Sequence, residues 1–173
     1  MQRREEVNNL IRLLVIYLTF FLAFVVTTIP WSSEYASFRP HWILTLLLVW
    51  TIRDSAKVGY ITALVVGVLL DSISGTPLGE HAIAFIIVTF INTRLVKLYN
   101  SIGFAFQTIC TTVIIVIYSL IIALLELFSY NLIQFNLSFF LPILTSVIIW
   151  AWVFTAIGML QYWLVKRFRI NFR

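Results

Sequence analysis

Apolar residues fall into six blocks along this chain, at Leu10–Ile29, His41–Ile52, Val58–Leu70, His81–Leu95, Ile102–Phe128 and Phe139–Val165. Polar residues and turn formers gather in the gaps between them. A helix needs about 20 residues to cross a hydrocarbon core of ~30 Å. The first, fifth and sixth blocks meet that length. His41–Ile52 has twelve residues and Val58–Leu70 has thirteen. These two either cross by borrowing flanking residues or form a re-entrant pair. The link between them, Arg53-Asp54-Ser55-Ala56-Lys57, is charged and belongs in water. A pair re-entering from outside would set two basic residues deep in lipid, at about 2.5–3.5 kcal/mol each. Entry from inside would break the charge alternation downstream. Crossing is the better reading, with an earlier start near Tyr35 to Pro40 or a locally thinned bilayer.

The composition agrees. The chain is 61% hydrophobic and 11% charged, against roughly 45–50% and about 25% in soluble domains. So little polar surface points to an all-α membrane protein, one polytopic domain over residues 1–173, with six transmembrane helices in one bundle. The net charge of +5 is then explained by loops facing anionic headgroups, so nucleic-acid binding is not indicated.

Charge sets the orientation. With the N-terminus in the cytoplasm, the inner side receives Arg3, Arg4, Arg12, Arg53, Lys57, Arg94, Lys97, Lys166, Arg167, Arg169 and Arg173, and the outer side only Arg39. Acids do not follow the split: Glu5, Glu6 and Asp54 lie inside, and Glu34, Asp71, Glu80 and Glu126 outside. The positive-inside rule counts Lys and Arg and is nearly blind to Asp and Glu. Both termini are expected in the cytoplasm. The apolar run from Ile11 to Ile29 exceeds the roughly 7–15 residues of a signal h-region, so it reads as a retained first helix.

Trp31, Tyr35 and Trp42 mark the outer interface, and Tyr162 and Trp163 the inner one, as an aromatic belt does. Cys110 is the single cysteine, which excludes an internal disulfide and a thiolate cluster. The Asn136-Leu137-Ser138 sequon reads as chance. Gly59, Ala63 and Gly67 recur every four residues, with Asp71 continuing the row. Small residues on one helix face let another helix approach closely. Packing within the bundle is favoured over a partner-docking face.

The most specific stretch runs from Leu70 to His81. Gly75 and Gly79 permit positive φ, and Pro77 fixes its own. Asp71 adjoins an apolar run, so its carboxylate needs a partner. One reading pairs it with Arg39, the sole outer cation, with His41 as second candidate. The other, slightly favoured, has it accept from the Ser74 and Gly75 amides in an Asx-type turn. A metal site from Asp71, Glu80, His81 and His41 fits by residue type but follows no ligand spacing. Ser74 with His81 as nucleophile and base lacks an orienting acid and an oxyanion hole.

Asp71-Ser72-Ile73-Ser74-Gly75-Thr76-Pro77-Leu78-Gly79 resembles the Asp-x-x-Ser-Gly-x-x-Leu-Gly signature of the MreD family of rod shape-determining membrane proteins. Ile29-Pro30-Trp31 and Phe38-Arg39-Pro40-x-Trp42 resemble its enterobacterial-type members. Length, span count, the short N-terminus and the basic C-terminus extend the likeness over nearly the whole chain. The resemblance implies a fold similar to the substrate-binding subunits of energy-coupling-factor vitamin transporters. It implies a non-enzymatic scaffold of the inner-membrane cell-wall elongation (Rod) complex, involved in rod shape and peptidoglycan synthesis, with no cofactor. The implied partners are the single-span periplasmic protein MreC, the MreB filament, cell-wall synthases and membrane lipid. Asp71, Ser74, Gly75, Pro77, Leu78, Gly79, Phe38, Arg39, Pro40 and Trp42 are the candidate partner-binding or signature residues.

Two rival functions come from other classes. A vitamin-type binding subunit of a transporter would dock through a small-x-x-x-small pair on its first helix, which Ala23 and Thr27 only approach. A protein handling a lipid-linked precursor needs ionisable residues along a path. The last two blocks offer only Glu126 and Gln161, near their ends.

Overall fold

The computed structural model describes residues 2–32, 35–99, 103–130 and 137–168. Glu34, Ile102, Asn136, Arg169 and Arg173, each used in the sequence reading, lie outside them. The described residues form six α-helices, one short 3-10 turn and no strand. The helices are α1 (Gln2–Thr28), α2 (Trp42–Arg53), α3 (Tyr60–Ser74), α4 (Glu80–Tyr99), α5 (Phe104–Tyr130) and α6 (Leu137–Phe168), with the turn at Ala36–Phe38. Each helix coincides with one apolar block. The largest extension is α1, which starts eight residues before Leu10 and carries polar residues ahead of the block. α1, α5 and α6 are long and apolar enough to cross a membrane; α2 and α3 are shorter apolar helices.

α2 occupies the centre. At 1.5 Å per residue its twelve residues rise only about 18 Å. Its nine consecutive residues from Ile43 to Thr51 are all buried. A helix apolar on every side is stable only when other helices enclose it. α1, α4 and α6 do so, α3 pairs with α4, and α5 joins α4 to α6.

Polar side chains fix these contacts where packing alone would let helices slide. Trp50 donates its indole N–H to Thr19 Oγ1 on α1 at 2.9 Å. Asn92 on α4 donates to the Leu48 carbonyl at 3.1 Å. The His41 amide, an orphan donor at the start of α2, donates to Ser146 Oγ on α6 at 2.8 Å, and Ser146 donates onward to the Pro142 carbonyl. At the other end of α2, Arg12 donates to one Asp54 oxygen from Nη2 and Nε, at 2.6 and 3.1 Å. Both residues are buried, so the guanidinium inside the first apolar block carries its own counter-ion. Arg53 donates to the Phe154 carbonyl at 3.1 Å and lies 4.0 Å over the Phe154 ring.

The small-residue row on α3 acts in part. A Cβ on Gly67 would stand 2.4 Å from Ala82 Cα and 2.7 Å from Ala82 N, so the backbones of α3 and α4 meet there. Ala63 is fully buried. Gly59 does not share in the seam, because it caps the start of α3 and a Cβ there would meet nothing within 4 Å. Elsewhere the outward faces of α1, α3, α5 and α6 are apolar, with Leu14, Phe21, Ile61, Ile109, Leu144 and Trp152 all exposed. Exposed apolar surface on this scale suits lipid rather than water.

Two expectations follow. Gly67→Leu forces α3 and α4 apart and is expected to destabilise the protein by at least the ~1–3 kcal/mol typical of overpacking. Gly59→Ala should leave the thermal midpoint of the detergent-purified protein unchanged. Asp54→Ala removes the carboxylate that a buried guanidinium bonds and should cost up to about 3–5 kcal/mol, whereas Arg12→Met with Asp54→Leu should recover much of that loss. Thermal unfolding followed by circular dichroism measures both.

Candidate functional site

The stretch from Asp71 to His81 joins α3 to α4 in a compact, internally bonded loop. Helix α3 ends in a left-handed glycine cap. Gly75 takes the left-handed conformation, φ 69°, and the Gly75 and Thr76 amides both donate to the Asp71 carbonyl. Gly79 has φ 104°, a region essentially closed to residues with a Cβ. Both glycines of the signature therefore answer a conformational demand.

The Asp71 side chain is fully buried and organises the next helix. Its Oδ2 accepts from the Gly79 amide at 2.8 Å. Its Oδ1 accepts from the His81 amide at 2.9 Å and from Thr76 Oγ1 at 3.2 Å. The His81 ring sets Nδ1 2.8 Å from the same oxygen. The carboxylate at the end of α3 thus caps the N-terminus of α4, where free amides and the helix dipole favour negative charge. The turn idea holds in kind and fails in detail: the donors are the Gly79 and His81 amides, eight and ten residues on, not those of Ser74 and Gly75. The side chain that meets the carboxylate is His81, neither Arg39 nor His41. The remaining signature residues lie at the surface. Ser74, Gly75, Pro77 and Leu78 are exposed, Leu78 to 75%.

The second stretch, Phe38 to Trp42, packs against α6 through the 3-10 turn. Phe38, Pro40 and Trp42 form an apolar groove of about 380 Å³ with Trp31, Thr145, Ile148 and Ile149. The two stretches meet across a second cavity of about 260 Å³. Arg39, Pro40, His41 and Trp42 line one side, and Leu70, Ser74 and His81 line the other. Tyr118 of α5 stands between them, its ring 5.0 Å from His41 and 6.4 Å from His81. The sequence reading passed over Tyr118. Its signal was the Tyr118-Ser119 pair, the polar break in an otherwise aliphatic stretch of α5.

Glu80, ahead of the fourth apolar block, is buried, and neither of its carboxyl oxygens has a hydrogen bond among the described residues. Burial, then the nearby Glu126 and Asp71 charges, raise its carboxyl above the ordinary range. Among the described residues no group of three His, Cys, Asp or Glu side chains is placed to hold a metal ion.

A model of the family described as rod shape-determining protein MreD matches residues 7–164. The rod shape-determining protein MreD of Haemophilus influenzae is 28% identical to this chain over 135 residues, covering 78% of this chain and 83% of that protein. No solved structure matches the chain.

Asp71→Ala removes the acceptor of two part-buried amides and should destabilise by about 1–3 kcal/mol, the range for charged hydrogen bonds and stranded donors. Leu78→Ala and Ser74→Ala should leave the thermal midpoint in place. Glu80 gives a pH dependence of known sign. A carboxyl whose pKa is raised on folding holds its proton more tightly in the native state, so stability falls as pH rises from the ordinary carboxylate range through the raised value. Glu80→Gln is expected to remove that fall and to raise the midpoint at pH 7. A parallel pH profile for both proteins would refute it.

Proposed function

This chain belongs to the MreD family of rod shape-determining proteins, and from that premise we propose that it is a non-enzymatic scaffold of the cell-wall elongation complex. In this reading all six helices cross the inner membrane, with both termini in the cytoplasm. The loop at Asp71–His81 and the Phe38–Trp42 segment form its periplasmic face. That face holds the membrane-proximal end of a single-span MreC-like protein and, through it, the cell-wall synthases.

The observation that carries the reading is the way the signature loop is built. Its buried carboxylate and two left-handed glycines hold the backbone in one shape, while Leu78 and Pro77 stand out from the surface. A loop made rigid from beneath, with apolar side chains on top, suits a docking surface, because little freedom is lost on binding. The groove of Trp31, Phe38, Pro40 and Trp42 beside α6 supports it, being apolar, open and suited to a transmembrane helix. Small-molecule capture in the manner of a transporter subunit is less well supported. The cavity of about 260 Å³ falls below the roughly 300–1,000 Å³ of ordinary ligand pockets.

Leu78→Asp and Phe38→Asp are expected to abolish complementation of rod shape in a strain lacking the protein. Both should leave its membrane level and thermal midpoint intact, and each should lower recovery of the single-span partner at least tenfold in mild-detergent purification. Normal rods and normal partner recovery in both variants would remove this face as the docking surface. Recovery of paired ATPases with a coupling subunit would instead make the chain a transporter's binding subunit.

A further inference from the structure

We propose that the cavity between the two outer stretches is a binding site for a phosphate group, the headgroup of an outer-leaflet phospholipid. It rests on the reading of this end as outer, and stands without the docking reading. The cavity walls supply donors and no carboxylate. Arg39 lines it and makes no hydrogen bond or ion pair among the described residues. The His41 ring lines it, and its nitrogens have no hydrogen-bond partner there. Tyr118 is 99% buried, lines the same space, and its hydroxyl has no hydrogen bond among the described residues. Ser74 adds a second hydroxyl at the rim.

Glu80 and Glu126 lie near enough to act on Tyr118, and Asp71 stands behind His81. Both of its oxygens are already taken by the Gly79 and His81 amides. Its bond to Nδ1 leaves the other nitrogen of the His81 ring for the cavity side. Among the lining residues the permanent charge is that of Arg39. A guanidinium presents a planar fork that matches two phosphate oxygens, and hydroxyl and imidazole N–H groups complete the cradle. An unpartnered polar group at a buried site is costly until a ligand answers it. Trp42 Nε1, on a lining residue, is such a group, and Arg39, His41 and Tyr118 add polar atoms that have no hydrogen bond among the described residues.

Size and position select the ligand. About 260 Å³ accommodates a phosphate with its glycerol end, not a sugar-bearing precursor. Trp42 lines the cavity, and Trp31 stands in the adjoining groove. Such aromatics sit at headgroup level, where phosphate is the abundant anion.

The test is native mass spectrometry of the full chain after exchange into a delipidating detergent. The added probes are phosphatidylglycerol and, as a phosphate-free control, diacylglycerol. The expected result is one retained phosphatidylglycerol per chain and at least tenfold less diacylglycerol. Arg39→Gln should lower retention tenfold or more, and Tyr118→Phe, which keeps the ring, several-fold. Arg94→Gln, on an exposed residue at the far end of α4, should leave retention unchanged. Should Arg39→Gln fail to fold, Arg39→Lys and Tyr118→Phe keep the test open. Thermal shift with inorganic phosphate, against chloride at equal ionic strength, separates the sources. A rise lost in Tyr118→Phe identifies a site that also takes the free anion, and no rise identifies the lipid alone. Equal retention of both lipids, or wild-type retention in both the Arg39 and Tyr118 variants, would overturn the proposal.

Discussion

Asp71 has no contact with solvent, and an ionised carboxylate in that position is tolerable only where donors surround it. The donors are the Gly79 and His81 amides, so the end of α3 must lie beside the start of α4. One helical turn back, Gly67 lets the backbones of the two helices come together at Ala82. These are two expressions of one constraint. Without the close approach at Gly67 the carboxylate would not reach the amides. Without the carboxylate, the start of α4 would bury amides that no residue of its own helix can answer. The left-handed Gly75 and Gly79 turn the chain within the distance that remains.

The rest of the bundle is arranged around α2, which is too short to behave like the long apolar helices. Each of its neighbours is attached by a polar bond at a different height: Ser146 near the start, Leu48 and Trp50 in the middle, Asp54 at the end. In lipid the hydrophobic effect no longer drives helices together, so hydrogen bonds and close packing set the register. The Arg12–Asp54 pair fits this pattern, since it holds α1 to the end of α2 and lets a guanidinium sit inside an apolar block.

The helices were legible because hydrophobic run length is a direct record of what a lipid-facing or buried helix requires, and the six blocks and six helices coincide. Gly67 was legible for a similar reason: a four-residue spacing of small side chains has a geometric meaning. The partner of Asp71 was not. Which amides a carboxylate reaches depends on how a ten-residue loop folds back, and neither spacing nor charge states that. Arg39 drew attention as the one outer cation, yet the nearby His81 sits on the helix that Asp71 caps, and proximity decided the pairing. Asp54 went unnoticed as a partner for Arg12 because acids carry almost no weight in topology. Tyr118 went unnoticed because a tyrosine within an aliphatic helix has no pattern of its own; only the fold shows that it stands between His41 and His81.

The two ends of the bundle place their charged groups differently. At the Arg53 end Arg12 is answered by Asp54, and Arg53 meets the Phe154 carbonyl and ring through its terminal guanidinium atoms while its Nε is buried without a hydrogen bond among the described residues. At the Asp71 end Arg39 makes no ion pair among the described residues, and Glu80 is buried with both oxygens unbonded. The same protein that answers Asp71 with four contacts leaves a carboxylate nine residues away with none. A fold selected for stability alone would not keep both, because neutral side chains at 39 and 80 would remove the penalty. Local rules are broken where a site must meet something outside the chain. The satisfied carboxylate fixes the loop, and unsatisfied groups stand beside it, which is the ground on which the docking proposal places its surface at this end of the bundle.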